Sequence, residues 1–325
     1  LEGFTSNLPI VVVDTIGTDG AIVDGFRSAT FTVYEPENGV ASLTSQPSLS
    51  SRAGYRVRGQ SSAGFAKKQY RFELWNQEDE DKDQELLGMP SDSDFILGAP
   101  FVDKSFIRNS LAYELGRELG LEAPRTRHVE VFLNANGGEL NYETDYLGVY
   151  FVGETNKITN DRIDLKKLDP TDDTEPQITG GYMMKWEQNV AEVSKRLAGF
   201  ANLELVDPDG ADEATSAQKQ WISDYVQDAD TRVKSANPGD PVTGYAPVID
   251  VASYANIFVI NELARDQDGY MRSAYMHKDR GGKLVQGPLW DYNLGMGTGC
   301  CRNNRNTSPT GTDSGWQYLE NTPVS

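Results

Sequence analysis

The amino-acid sequence predicts a two-lobed α+β fold, with a β-rich amino-terminal lobe and a more helical carboxy-terminal lobe. Three observations predict it. Short alternating segments fill the first part of the chain, from "PIVVVDT" to "KKQYRFELWN". Two strong helical patterns follow, at 103–120 and 250–269, and a hairpin signal closes the patterned region at 273–292. A chain of 325 residues exceeds one typical domain. The join is expected near 154–160, giving a lobe at 1–155 that includes one long helix and a lobe at 156–325, with a cleft between them.

"PIVVVDT" is a short β-branched run and "RSATFTVYEP" alternates. "GYRVRGQSS" and "KKQYRFELWN" read as a strand pair, with Tyr70, Phe72 and Leu74 on one face and Arg71 and Glu73 on the other. The charged run "QEDEDKDQE" lacks the sixth-position Gly of an EF-hand loop and reads as a loop. Between 103 and 120, Phe106, Ile107, Leu111, Leu115 and Leu119 recur at helical spacing, with Asp103 or Ser105 as the cap and Gly120 as the stop. "HVEVFLNANGG" and "DYLGVYFVGET" form a second pair, and "YMMKWEQ" is a further strand. Residues 190–245 are polar and read as an insertion around a helix at "SAQKQWISDYVQDADTRV". "DVASYANIFVINELARDQDG" is the second strong helix, and "SAYMHKDRGGKLVQGPLWDY" turns at Asp279–Gly282.

Composition removes several classes of function. With 49 acidic against 30 basic residues the net charge is −19, which argues against a nucleic-acid partner. No apolar run reaches the ~20 residues that cross a bilayer, so no membrane span is expected. The opening "LEGFTSNLPIVVVDT" has no basic start and no long apolar core, and predicts no signal peptide within these residues. The only cysteines are the adjacent Cys300 and Cys301, which make neither a disulfide framework nor a zinc motif. With His128 and His277 as the only histidines, an H-E-x-x-H hydrolase is excluded, and neither His has a G-x-S-x-G partner. No Walker A or G-x-G-x-x-G sequence occurs, so the chemistry must rest on carboxylates, lysines and arginines.

Three segments carry such groups. "RVRGQSSAGFAKKQYRF" places a Gly/Ser turn before Lys67, Lys68 and Arg71, which suits phosphate oxygens, although an ordinary hairpin with solvated cations explains it equally. "NELARDQDGYMRS" places Asp266 and Asp268 after a helix, either as proton acceptors or metal ligands, or as an Asx turn. "QGPLWDYNLGMGTG" sets Asp291 directly after Leu289 and Trp290, 23 positions beyond Asp268 and joined to it by one hairpin. Their order is the parts list of a phosphoryl-transfer site. Paired carboxylates also fit a glycoside hydrolase, which accounts for neither the Gly/Ser turn nor the basic strand.

Taken together, "RGQSS", "KKQYRFEL", "SDSDFILGAPFVDKSFIRNSLAYELGRELG", "PRTRHVEVFLN", "YLGVYFVGE", "ITGGYMMK", "NELARDQDGY" and "GPLWDYNLG" resemble the CotH family of spore-coat protein H-like kinases. The resemblance implies an atypical, pared-down protein-kinase fold. It implies ATP as the phosphoryl donor, a divalent metal (Mg²⁺, with Mn²⁺ or Ca²⁺ as alternatives), and a protein Ser/Thr acceptor, basic or Ser-rich to suit the acidic surface. It also implies a secreted or cell-surface location, where Asn306-Thr-Ser would be a glycosylation site in a eukaryotic source. Carried over by position, Arg58, Gly59, Ser61 and Ser62 cover the phosphates, and Lys68 or Arg71 contacts them, with strand phase leaving the two undecided. Glu114 orients that cation, Glu154 lies beside the adenine, Asp268 is the catalytic-loop carboxylate and Asp291 the metal ligand. Ser273 stands where typical kinases carry a metal-binding Asn, and Asn293 where the family often has a second carboxylate. Neutral oxygens at both positions weaken the metal site without abolishing it. The competing expectation is a non-catalytic adhesin or extracellular assembly module.

Overall fold

The computed structural model describes residues 1, 3–15, 25–266 and 268–297. In chain order, the first strands are β1 (Thr5–Ser6), β2 (Ile10–Asp14), β3 (Arg27–Tyr34), β4 (Ala41–Ser42), β5 (Leu49–Arg58) and β6 (Gln69–Trp75). Next come β7 (Gln84–Leu86), β8 (Met89–Asp92), β9 (Asp94–Gly98), helix α1 (Arg108–Glu118), β10 (Thr126–Asn134), the single turn α2 (Tyr142–Asp145) and β11 (Tyr146–Glu154). The remainder holds β12 (Tyr182–Trp186), β13 (Leu203–Asp207), α3 (Ser216–Val233), α4 (Val251–Ala264), β14 (Ala274–Lys278) and β15 (Leu284–Gln286). Two compact units result: residues 1–106 with 125–155, and residues 107–124 with 156–325.

In the first unit seven strands close a barrel in the order β10-β11-β9-β6-β5-β3-β2. All neighbours are antiparallel except β2 and β10, whose parallel pairing (Ile10 with Glu130, Val12 with Phe132) closes the ring. Period-two alternation drives the interior: in β6, Tyr70, Phe72 and Leu74 are buried while Arg71 and Glu73 face outward. Phe72 stacks on Phe31 at 4.2 Å between centroids and on Phe95 at 5.8 Å. Closure leaves no unpaired barrel edge. The short pairs β1–β4 and β7–β8 lie outside the ring.

The second unit is built on the antiparallel sheet β13-β12-β14-β15. Helix α3 covers it with Ile222, Val226 and Ala229, packed with Tyr182, Met184, Leu203, Leu205 and Met276. A Thr215–Gln218 capping box starts that helix. Helices α1 and α4 share a separate core of Ala112, Tyr113, Ile257, Ile260, Ala264, Leu289 and Tyr292. A Cβ on Gly116 would stand 2.8 Å from Leu289, so glycine is what lets that segment approach α1. No helix among the described residues is long and apolar enough to cross a membrane.

This corrects the expected fold class. The chain is not a two-lobed kinase-like fold with a helical second lobe: it is mostly β, with a closed seven-stranded barrel and four short α-helices among the described residues. Two long helical patterns dominate the second half of the sequence. The strands there are three to five residues long, too short to declare a period, and β13 lies inside the polar stretch 190–245. The predicted cap also shifts. Asp103 accepts hydrogen bonds from the Ser105 amide and hydroxyl in a turn, Phe106 is left-handed, and α1 starts at Arg108 without a side-chain cap. The cysteine pair and Asn306 lie outside the described residues.

Candidate active site

The acidic segments of the second unit converge on Asp266. Helix α4, capped by Asp250, ends where Arg265 turns left-handed, and the chain enters the Asp266–Ser273 loop. Asp266 is 1% exposed and neither of its carboxylate oxygens has a partner at hydrogen-bonding geometry. Burial, and then repulsion from Asp268 and Asp291, push its carboxyl well above the ordinary range, against the nearby amides of Asp268 and Gly269. Asp268 and Asp291 are therefore both near enough to Asp266 to repel its charge.

Asp268 is buried less completely, its side chain 11% exposed. Burial raises its pKa, Arg272 opposes the rise and Glu187 adds to it. Arg272 approaches Asp268 Oδ1 at 3.6 Å, an ion pair too long for a hydrogen bond, so that oxygen has no hydrogen-bond partner. Glu187 is held in turn by Lys185 at 3.1 Å.

Asp291 follows Trp290 in a left-handed conformation (φ 69°), as does Ser273 (φ 49°), a costly arrangement for residues other than glycine. The Ser273 hydroxyl lies 3.4 Å from Asp291 Oδ2, and the Asp291 amide donates to Tyr113 Oη at 3.2 Å. Asn293, two residues on, has a buried side-chain oxygen without a partner. Helix α1 thus reaches the site through Tyr113. Its neighbour Glu114 is exposed and pairs with Arg117 on the helix surface.

The residues predicted for phosphate binding gather in the first unit at the turn between β5 and β6. Gly59 adopts φ +102°, and Ser62 Oγ lies where a Cβ on Gly59 would stand. Arg58 Nη1 donates to Gln69 across the strand pair at 3.1 Å, and Ser61 precedes a one-turn helix at Ser62–Gly64. Of the two candidate cations, Lys68 belongs to this turn, its Nζ donating to Ala63 O at 2.6 Å. Arg71 points elsewhere, to Asp94 and Glu73. Lys67 lies over the Tyr150 ring at 4.5 Å and donates to Val149 O. Glu154, 2% exposed, accepts from the Arg125 amide at 2.7 Å and from its guanidinium at 2.9 Å.

The sequence singled out Asp268 and left Asp266 without a role; it is burial that marks Asp266. Tyr113 carried no signal, being a lone aromatic in a helix whose sequence does not show that its hydroxyl faces the Asp291 loop. For a divalent cation the donor chemistry fits: Asp266, Asp268 and Asn293 present orphaned buried oxygens, hard ligands of the kind Mg²⁺ or Ca²⁺ takes. Among the described residues no three acidic or imidazole groups already close into a ligand cluster.

A closed barrel in one unit and, in the other, carboxylate-bearing loops that follow an apolar helix and a hairpin define a β-rich two-unit class. The profile of the family described as CotH kinase protein matches residues 55–324. The chain belongs to that family. No curated protein matches the chain.

Proposed function

We propose that the chain transfers the γ-phosphoryl group of ATP to a Ser or Thr hydroxyl of a protein. The observation that supports this most directly is buried Asp266 with Asp268 and the half-buried Asp291 near enough to repel its charge, in a chain of the CotH kinase family. The acceptor oxygen attacks the γ-phosphorus, the bond to the bridging oxygen of ADP breaks, and the hydroxyl proton passes to Asp268. An orphaned oxygen with a raised pKa suits that role, and Arg272 orients the carboxylate. Asp291, with Asp266 and Asn293, is assigned to a divalent cation, which supplies charge neutralisation on the phosphates when bound. The Gly59–Ser62 turn with Lys68 is assigned, on its own geometry, to anion binding.

The test is incubation of the whole chain with labelled ATP, Mg²⁺ or Mn²⁺ and a basic, Ser-rich protein acceptor. Label on the acceptor, lost in Asp268→Asn, is the expected result. Neutral oxygens at Ser273 and Asn293 favour a second reading, a non-catalytic secreted or cell-surface adhesin or assembly module. Absence of label, together with no thermal shift on adding nucleotide and metal, would overturn the kinase reading in its favour.

A further inference from the structure

Between the two carboxylate-bearing segments lies one side chain that touches both. Asn261, on the last turn of α4, is 0% exposed. Its Oδ1 accepts from Tyr292 Oη at 2.6 Å, and Tyr292 is the residue after Asp291. Its Nδ2 donates to the Gly269 carbonyl at 3.0 Å, and Gly269 is the residue after Asp268. Its own backbone carbonyl accepts from the Asp266 amide at 3.1 Å. A Cβ on Gly269 would stand 2.7–2.9 Å from the Asn261 carboxamide. The close approach therefore depends on glycine at 269 as well as on asparagine at 261.

We propose that Asn261 is a positioning residue that locks the Asp268 loop and the Asp291 loop in one register, with the Tyr292 hydroxyl and the Gly269 carbonyl as its two ends. The assignment of a catalytic consequence rests on the phosphotransfer reading above; the mechanical link does not.

The chemistry of the linker is specific. A carboxamide presents an acceptor and a donor at opposite corners, and this site uses one of each. Aspartate has the same shape but no donor, so it would turn its second oxygen against the Gly269 carbonyl and add a negative charge beside Asp266. Alanine removes both bonds, and Tyr292→Phe removes one bond while leaving the ring in place. Because the bonds are buried and share one side chain, loosening either end is felt at the other. Apart from the long 3.4 Å approach of the Ser273 hydroxyl to Asp291 Oδ2, the two loops are separate excursions, one leaving a helix and one leaving a strand. Their left-handed members Ser273 and Asp291 are strained in isolation and need a scaffold.

The experiment uses the whole chain and two readouts. Hydrogen exchange of peptides covering 266–273 and 289–295 is compared among the natural sequence, Tyr292→Phe, Asn261→Ala, Asn261→Asp and a packing control, Ile260→Val. The expected result is that Tyr292→Phe speeds exchange in 266–273 as well as in its own segment, while Ile260→Val leaves 266–273 alone. Phosphotransfer kinetics on the same set should show kcat down roughly 10- to 100-fold with the nucleotide KM changed less than about threefold, and the Asn261→Ala/Tyr292→Phe double variant no worse than the poorer single variant. Exchange confined to 289–295 in Tyr292→Phe, or additive kinetic losses, would overturn the proposal. Should Asn261→Ala fail to fold, Tyr292→Phe carries the test alone through its exchange pattern. If the natural sequence transfers no phosphate, the kinase reading falls, and the exchange pattern still decides the link.

Discussion

Glu154 and Asp145 lie as deep in the barrel unit as Asp266 does in the other, yet the two settings treat the charge in opposite ways. Glu154 is clamped by the amide and guanidinium of Arg125, and Asp145 accepts from Asn141, Asn136 and Thr144. Every buried side-chain carboxylate oxygen left without a partner among the described residues belongs to the second unit, on Asp207, Asp266 and Asp268. Burying a charge costs several kcal/mol unless partners replace the lost water. The barrel unit supplies those partners from its own chain. In the second unit the clustered acids hold unused binding capacity, which a cation or a substrate hydroxyl is suited to fill.

Substitutions test the contrast: in the barrel unit they act on stability alone, in the second unit on chemistry and on the pH dependence of stability. The largest stability effect is expected at Phe72→Ala inside the barrel, about 3–5 kcal/mol by denaturant titration, because two stacked rings lose their partner and a cavity remains. Asp291→Asn should cut phosphotransfer at least about 100-fold without lowering the thermal midpoint, since it removes a buried repulsion along with a ligand. A midpoint that falls with the activity would show that Asp291 is structural. Asp266→Asn should raise stability at pH values where the native carboxyl is ionised, read as a higher denaturant midpoint. The folded-state pKa of Asp266 is raised, so its favourable term is fully present below the unfolded value, near pH 4, and lost as pH rises through the folded value. The gain from Asn should therefore close as the pH is lowered towards about 4.

The smallest effect concerns Lys278, buried beneath the Trp221 and Tyr225 rings, with its ammonium on the carbonyls of Thr179 and Asp279. Burial lowers its pKa to about 8, against a smaller opposing pull from Asp279. The native state then binds fewer protons than the unfolded chain between that value and the ordinary lysine range, so stability rises with pH across this window. In Lys278→Met the rise, on the order of 1 kcal/mol by thermal unfolding from pH 8 to 10, should be absent.

Parts of this were open to sequence reasoning for a physical reason. Tyr70, Phe72 and Leu74 alternate because one face of their strand fills the barrel, and Asp268 and Asp291 stand out because acids rarely follow apolar pairs or helices without purpose. Barrel closure was not legible: it depends on parallel pairing between β2 and β10, and no local pattern names so distant a partner. The depth of Asp266 was hidden because Asp266 and Asp268 look alike until their surroundings are assembled. Asn261 is one polar residue in an apolar helix, a weak helix former whose two partners no local pattern names. Lys68 and Arg71 could not be separated by strand phase, and the turn geometry separates them through the Ala63 carbonyl.

The parallel seam of the barrel also bears on where this protein can be cut. The family match begins at residue 55, inside β5, whereas β2 and β3 come earlier in the chain. A fragment trimmed to the matched residues would lose both strands and half of β5, opening the ring along β10 on one side and β5 on the other. Two rows of bare amides and carbonyls would then invite strand addition between molecules. Inclusion bodies from such a fragment would report the missing seam rather than an unstable fold.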